Sequence, residues 1–156
     1  MRRILLVLLL VAAAFQGYAQ RYFFENIAVR DGLPASKVYA VLQDSTGLLW
    51  IGTEAGLASY DGNKVRTFGA NDRLAPNGAR SLFLDKDLRL WVGHLGGGVS
   101  LKEGNRFRTL QLGAEPPSRD ITGIAQDSKG DVWIATFGEG AYRISQMAKD
   151  GTQEAD

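Results

Sequence analysis

Three tryptophans divide most of this chain into segments of similar length and sequence. Trp50, Trp91 and Trp133 lie 41 and 42 residues apart, and an aspartate stands six residues before each of them. The surrounding sequences are VYAVLQDSTGLLWIGTEAGL (38–57), ARSLFLDKDLRLWVGHLGGGV (79–99) and ITGIAQDSKGDVWIATFGEGA (121–141). Each contains an apolar run, the aspartate, a short turn and a second apolar run with the tryptophan. A fixed period of this kind indicates a fold built from repeated units.

The first copy predicts four short β-strands, at Val38–Gln43, Leu48–Thr53, Leu57–Tyr60 and Val65–Phe68. Asp61-Gly62 separates the last two strands, and this dipeptide predicts a type I′ hairpin turn in which both central residues have positive φ. The second copy has Glu103-Gly104-Asn105 at the same place, and the third reaches Asp150-Gly151 before the sequence ends. With 19 glycines and only four prolines, the composition also favours β-strands joined by turns.

Four strands in about 40 to 45 residues, repeated at a fixed period, predict the blades of a β-propeller. The alternative is a β-sandwich, which has regularly spaced strands but not this self-similarity. We therefore predict an all-β chain, a partial β-propeller of three four-stranded blades, with each tryptophan buried between neighbouring blades. The residues that define the repeat are Asp44, Trp50, Gly52, Asp85, Trp91, Gly93, Asp127 and Trp133.

The N-terminus has the features of a secretory signal peptide. Arg2 and Arg3 precede an apolar run from Ile4 to Phe15, and small residues follow at Gly17 and Ala19. This run is shorter than the roughly 20 residues that a spanning helix needs, so a retained anchor is the weaker alternative. A buried core helix is also the weaker alternative, because the run has no polar positions at a 3.6-residue period. We predict cleavage after Ala19, export to the periplasm or beyond, and no stable membrane span.

Charge and cysteine content exclude several classes of protein. The chain has no cysteine, which excludes a disulfide scaffold, a thiol enzyme, a lipoprotein anchor and a cysteine-ligated metal site. Its formal charge of +1 includes the two arginines of the leader, so the remainder is slightly acidic. We therefore predict no binding of nucleic acid.

The sequence GLPASKVYAVLQDSTGLLWIGTEAGLASYDG (32–62) resembles the two-component regulator propeller repeat. This family forms the exported sensor region of hybrid histidine kinases, chiefly in Bacteroidetes. The most specific part is Asp-x-x-Gly-x-x-Trp-Ile-Gly-Thr at 44–53, joined to Gly-Leu-Pro at 32–34, and the resemblance extends from Tyr22 to about Ile144. The second copy departs from it with Leu88 for the turn glycine and His94 for the threonine, and the third with Ala135 for glycine.

The resemblance implies that a strand near Tyr22–Asn26 completes the last blade and closes the ring. The predicted divisions are a signal peptide (1–19), the closing strand with the loop that follows it (20–37), blade 1 (38–78), blade 2 (79–120) and an incomplete blade 3 (121–156). Three blades are too few for a closed propeller, so two hydrophobic blade faces should be uncovered. We predict a fragment of a longer parent that pairs with further blades or self-associates.

Loops on one edge of the predicted blades are polar and varied where the framework is repetitive, which is typical of recognition loops on a scaffold. The candidate ligand-binding residues there are Lys37, Glu54, Arg80, His94, Arg119 and Glu139. His94 is the only histidine, which excludes a metal site with two histidine ligands from one chain. Since the repeated aspartates can accept hydrogen bonds from their own turn amides, we predict no metal and no cofactor.

Together these features predict a non-catalytic, ligand-binding sensor segment of a periplasmic two-component regulator propeller. The resemblance implies a glycan-derived ligand, such as an oligosaccharide, and a membrane helix and kinase in the parent protein. One alternative is a propeller enzyme similar to streptogramin lyases, whose catalytic histidine would have to be His94. Another is a structural propeller that binds a protein partner.

Overall fold

The computed structural model describes residues 23–110, 112 and 117–145. These residues form three antiparallel sheets in which the strands follow one another in sequence order. Blade 1 contains β1 (Val38–Gln43), β2 (Leu49–Thr53), β3 (Gly56–Tyr60) and β4 (Val65–Phe68). Blade 2 contains β5 (Ala79–Leu84), β6 (Leu90–His94), β7 (Val99–Glu103) and β8 (Arg106–Thr109). Blade 3 contains β9 (Ile121–Gln126), β10 (Val132–Thr136) and β11 (Ala141–Ile144), and the only helices described are two 3₁₀ turns, at Val29–Asp31 and Ala70–Asp72.

The all-β prediction is therefore confirmed, and the strands of blade 1 begin and end within one residue of their predicted bounds. The predicted signal peptide and Asp150-Gly151 lie outside the described residues. Within the described ranges, the chain has no helix that is both long and apolar enough to span a membrane.

A hydrogen bond from tryptophan to aspartate closes the first hairpin of every blade. In blade 1 the indole Nε1 of Trp50 donates to Asp44 Oδ2 at 2.9 Å. The other carboxylate oxygen accepts the backbone N–H groups of Thr46 and Leu48 at 2.9 and 3.2 Å. The corresponding indole bonds in blades 2 and 3 measure 2.8 and 3.1 Å. The six-residue spacing thus places one carboxylate beside both its own turn and the indole of the next strand.

The turns after these aspartates have different residue types at one position with a left-handed backbone. Gly47 and Gly130 have φ values of 88° and 97°, in the left-handed region that glycine adopts without strain. Leu88 occupies this position in blade 2 with a φ of 60°.

The predicted type I′ turn at Asp61-Gly62 is wrong, because only Gly62 has positive φ. Four residues separate β3 from β4, and the Asp61 carboxylate accepts the N–H groups of the two residues that complete the loop.

Each sheet has two faces, which we call the forward face, bearing the tryptophan, and the rear face. The forward face of blade 1 packs against the rear face of blade 2. At this junction the ring centroids of Trp50 and Phe68 are 5.2 Å apart, and Phe107 of blade 2 lies 6.5 Å from Trp50 and 5.6 Å from Phe68. Phe107 meets both rings edge-to-face, a favoured arrangement for buried aromatic rings, whereas Trp50 and Phe68 are tilted by 40° to each other.

The forward face of blade 2 packs in the same way on the rear face of blade 3. Trp91 and Leu101 of blade 2 contact Val132, Ile134 and Ile144. Each of these five side chains is at most 4% exposed. The blades therefore stack in one direction along the chain, forward face to rear face.

A glycine two residues after the tryptophan allows this close approach. A Cβ atom on Gly52 would lie 2.8 Å from the carbonyl oxygen of Ala79, in the first strand of blade 2. A Cβ on Gly93 would lie 2.7 Å from Cβ of Ile121, in the first strand of blade 3. Ala135 occupies this position in blade 3, where its side chain is exposed. The repeat glycine is thus needed where a following blade packs on the strand.

The prediction that all three tryptophans are buried is wrong for one of them. Trp50 and Trp91 are 2% and 0% exposed, but Trp133 is 42% exposed. Its forward face also presents Ala125 and Ala135 to solvent, and Phe137 beside it is exposed as well. The difference arises because no described blade follows blade 3.

The rear face of blade 1 is partly covered by the segment that precedes it. Leu33 and Ile27 pack against Ile51 and Ala58 of this face, although Val41 stays exposed. Of the two faces predicted to be uncovered, only that of blade 3 is fully open. Residues 23–28 form no strand, so the described part of the predicted closing strand is not paired with a sheet.

Candidate functional site

The loop before the first strand and the loop between the second and third strands meet at one edge of every blade. The Glu54 N–H donates to the Lys37 carbonyl oxygen at 3.0 Å in blade 1. The matching bonds run from the Leu95 N–H to the Gly78 carbonyl oxygen in blade 2 and from the Phe137 N–H to the Asp120 carbonyl oxygen in blade 3, both at 2.9 Å. We call this the upper edge; it is the edge on which the candidate ligand-binding loops were predicted to lie.

The first strand of each blade has an irregularity in register next to the upper edge. In blade 1, Val38 pairs with Thr53 and Ala40 with Gly52, so that Tyr39 is left without a direct cross-strand partner. The same irregularity leaves out Arg80 in blade 2 and Thr122 in blade 3. An extra residue of this kind bends the strand and redirects its side chain. Three equivalent positions at the upper edge therefore carry different side chains on the same backbone.

Aromatic and charged side chains gather around the first of these positions. The Arg80 guanidinium lies 4.6 Å from the centroid of the Tyr39 ring, and Lys37 Nζ lies 5.2 Å from it. Glu54 is 3.7 Å from Lys37, and Asp120 is 4.0 Å from Arg80. Interaction with the Tyr39 side chain, and then the charge of Glu54, raise the pKa of Lys37 above its usual value. We call these five residues the Tyr39 cluster.

A second charged group lies in the loops of blade 3. The Glu139 carboxylate accepts the Ser118 N–H at 3.0 Å and the Ser118 hydroxyl at 2.6 Å, and Arg119 lies 4.0 Å away. These contacts, led by the Ser118 hydroxyl, lower the pKa of Glu139. Asp120 also accepts the Gly96 N–H at 2.9 Å and so ties the loops of blades 2 and 3 together. The upper edge is thus a connected polar surface.

His94 does not share this exposed surface. It is the last residue of β6, its side chain is 0% exposed, and burial lowers the pKa of its imidazole. Its Nε2 shares a hydrogen bond of 2.8 Å with the Ser100 hydroxyl, and its Nδ1 lies 3.3 Å from the Asn77 carbonyl oxygen. Thr53 and Thr136 hold the same place in the other blades and also hydrogen-bond within their own blade. His94 therefore has the surroundings of an internal structural residue.

The structure brings Lys37, Glu54 and Arg80 together and places Arg119 and Glu139 in the neighbouring loops. Sequence reasoning missed Tyr39 and Asp120, although both stand at fixed positions of the repeat where the residue type changes from copy to copy. In the described part of the chain, no three histidine or acidic side chains are close enough together to hold a metal ion.

Comparisons with known proteins agree with this architecture. A family model described as two component regulator propeller matches residues 32–55 and 115–138. Both stretches contain the aspartate, turn and tryptophan of a first hairpin. Two of the three repeats therefore match the two-component regulator propeller repeat. The repeat that the model does not match is that of blade 2, in which Leu88 and His94 depart from the pattern.

Relatives of these repeats belong to signalling proteins. Histidine kinase P4 of Formosa agariphila is 31% identical over 61 residues, which cover 39% of this chain and 4% of that protein. The fold is similar to the extracellular domain of a putative hybrid two component system from B. thetaiotaomicron, with a TM-score of 0.70 and 19% identity over 88% of this chain and 19% of that one. The extracellular domain of a putative one component system from the same organism gives a TM-score of 0.65 and 20% identity, covering 85% and 17%. This chain therefore spans less than a fifth of each of these three proteins.

Proposed function

We propose that this chain is part of an extracellular, ligand-binding sensor of the two-component regulator propeller type. The matched repeats and the histidine kinase relative support this proposal, and the two solved domains of similar fold are described as extracellular. Export would follow from the predicted signal peptide, with cleavage after Ala19. The membrane helix and the kinase would then lie in the remainder of a longer parent protein.

We further propose that the Tyr39 cluster binds the ligand, and that the ligand is derived from a glycan. The supporting observation is the tyrosine ring flanked by the cations of Lys37 and Arg80, because an aromatic surface with a few polar groups around it is the usual composition of a small-molecule site. The ion pairs of 3.7 and 4.0 Å at its margin are partly exposed. Exposed pairs of this kind contribute little to stability, so they can rearrange around a ligand at low cost.

A catalytic function has less support from the site. An enzyme similar to streptogramin lyases would need His94 at the substrate, but this imidazole is buried and hydrogen-bonded to its own blade. A protein-binding function has one observation in its favour, the open forward face of blade 3 with Trp133 and Phe137. We propose that this face contacts either the next blade of the parent or a second copy of the chain.

Isothermal titration calorimetry of the full chain with a panel of neutral and acidic oligosaccharides tests the ligand proposal. We expect at least one oligosaccharide to bind, and the variants Tyr39→Ala and Arg80→Ala to bind it about tenfold more weakly. Thr122→Ala is the matched control, because it changes the equivalent position of blade 3, and it should leave the affinity unchanged. Absence of binding across the panel, or equal affinity for all three variants, would contradict the proposal.

A further inference from the structure

The segment before blade 1 repeats the backbone structure of the segment that joins blade 1 to blade 2. The joining segment has its 3₁₀ turn at Ala70–Asp72, and the Asp72 carboxylate accepts the Gly69 N–H at 3.2 Å. In the earlier segment the turn is Val29–Asp31, and its aspartate accepts the N–H three residues before it at 2.8 Å. A residue with a left-handed backbone ends each turn. The two segments are 41 residues apart, which equals the spacing of the first two repeat tryptophans.

The apolar side chains of the two segments also correspond. Phe68, the last residue of β4, and Leu74 pack into the junction of blades 1 and 2. Ile27 and Leu33 hold the same places in the earlier segment and pack on the rear face of blade 1. Residues 24–27 therefore lie against blade 1 as β4 lies against blade 2. They are in the position of the fourth strand of a blade that would precede blade 1.

Blade 3 has the sheet edge that such a strand requires. Among the described residues, β11 pairs on one side only, with β10. In blades 1 and 2 the other side of the third strand pairs with the fourth strand. Residues 24–27 cannot reach β11 of their own chain, because they lie on the rear side of blade 1 and blade 3 stacks on the far side of blade 2. The described part of the chain thus has a strand without a sheet at one end of the stack and a sheet edge at the other.

The register of β3 with β4 predicts how residues 24–27 would pair with β11. In blade 1, Arg66 of β4 lies opposite Ser59 of β3. Glu25 and Arg143 hold the two equivalent positions in the earlier segment and in β11, and both residues are exposed. Opposite charges directly across an antiparallel pair stabilise it, whereas like charges destabilise it. The pairing that the repeat predicts is therefore also complementary in charge.

We propose that residues 24–27 of one copy of the chain pair with β11 of a second copy as the fourth strand of its blade 3, and that two copies exchange these strands reciprocally. Main-chain hydrogen bonds contribute much of the binding energy when an extended segment adds to a sheet edge. The exchange occurs twice in a dimer with two-fold symmetry, so both copies bury the same surfaces. The second copy is one of the two partners proposed for the open face of blade 3, and the pairing rests on that proposal and not on ligand binding at the Tyr39 cluster.

The same arrangement covers the open face of blade 3. With the strands exchanged, the forward face of each blade 3 lies against the rear face of blade 1 of the other copy, so that Trp133 and Phe137 are no longer exposed. Val41, which is exposed on that rear face, is covered with them. The Ala135 methyl group makes this junction wider than the two within the chain, where glycine occupies its position. Two copies contribute six blades, within the range of about four to eight that is typical of closed propellers.

Analytical ultracentrifugation of the full chain over a range of concentrations tests this proposal. We expect a reversible equilibrium between monomer and dimer, with no larger species. Glu25→Arg should raise the dissociation constant of the dimer about tenfold, because it places like charges opposite each other at two symmetric positions. Arg143→Glu should have the same effect. The double variant with both changes should restore the wild-type dissociation constant, because the charge pair is then reversed.

Two controls separate this pairing from other kinds of association. Arg73→Glu makes the same change of charge at an exposed residue between blades 1 and 2, and it should leave the dissociation constant unchanged. Because the chain has no cysteine, Glu25→Cys with Arg143→Cys should form a disulfide-linked dimer under mild oxidising conditions. Glu25→Cys with Arg73→Cys should not form this dimer.

The proposal is overturned if the chain is monomeric at all concentrations, if it forms an open series of larger oligomers, or if Glu25→Arg dimerises with unchanged affinity. The last result would assign the association to another surface, such as a direct contact between two forward faces. None of these results affects the oligosaccharide binding measured by calorimetry, so the two proposals fail separately.

Discussion

Replacement of one repeat aspartate should destabilise the fold far more in blade 2 than in blade 3. The Asp85 side chain is fully buried, and its Oδ2 accepts a bond of 2.8 Å from the Trp91 indole and one of 2.6 Å from Arg89. Its Oδ1 accepts the N–H groups of Asp87 and Arg89. Asp85→Asn keeps the shape of the side chain and one accepting oxygen. The new amide NH₂ then faces either the indole and guanidinium donors or the two turn amides.

The expected cost follows from the burial of Trp91. Its side chain is 0% exposed, so water cannot replace the lost acceptor, and an unpaired buried donor costs about 1 to 3 kcal/mol. Loss of the charged partner of Arg89 adds to this cost, although that side chain is 32% exposed and can turn to Asp87. We therefore expect Asp85→Asn to lower the free energy of unfolding by about 3 kcal/mol.

Asp127→Asn is the matched control in blade 3. Trp133 is 42% exposed, so water can accept the indole hydrogen that Asp127 accepts in the wild type. Urea unfolding of both variants, monitored by tryptophan fluorescence, measures the difference, and for Asp85→Asn the thermal midpoint should fall by roughly 10 °C. Equal losses in the two variants, or a larger loss in Asp127→Asn, would refute the argument that burial of the indole sets the cost.

Two further predictions concern the positions at which blade 2 departs from the repeat. Leu88→Gly should raise the free energy of unfolding by about 0.5 to 1 kcal/mol, because the exposed leucine has a left-handed φ of 60° and glycine adopts this conformation without strain. Leu88→Ala is the control. A similar gain in that variant would exclude backbone strain as the cause. His94→Gln should flatten the dependence of stability on pH, since burial lowers the pKa of His94 below its usual 6.5. The contribution of the neutral imidazole is fully present above pH 6.5 and is lost as the pH falls through the lowered pKa; a wild type whose stability does not fall between pH 7 and 5 would contradict this.

The first hairpin of each blade was predictable because its determinants are local. The aspartate, the turn and the tryptophan lie within seven residues, and the hydrogen bonds of the carboxylate to the turn amides and the indole form inside that segment. The exposure of Trp133 was not predictable from the same motif, because burial of the indole depends on the blade that follows it. The turn at Asp61-Gly62 differs from the prediction for a related reason: the Asp61 side chain bonds to its own loop and stabilises a longer connection.

The candidate site was predictable in part. The backbone topology of a four-stranded blade places Lys37 and Glu54 at the same edge, independently of the contacts that their side chains make. Tyr39 was missed because strict alternation along β1 does not reveal a register irregularity, which depends on the pairing of β1 with β2. The burial of His94 likewise depends on its neighbours Asn77 and Ser100 and not on the loop sequence that follows it.

Ala135 limits how closely another blade can approach the forward face of blade 3. At the two junctions that the structure describes, glycine occupies this position, and a Cβ on Gly52 would lie only 2.8 Å from the backbone of the next blade. Ala135 carries such a Cβ on the forward face of blade 3, beside the exposed indole of Trp133. A blade placed on Trp133 as blade 2 is placed on Trp50 would therefore overlap with the Ala135 methyl group. A surface that covers Trp133 must lie farther from Ala135 than the first strand of blade 2 lies from Gly52.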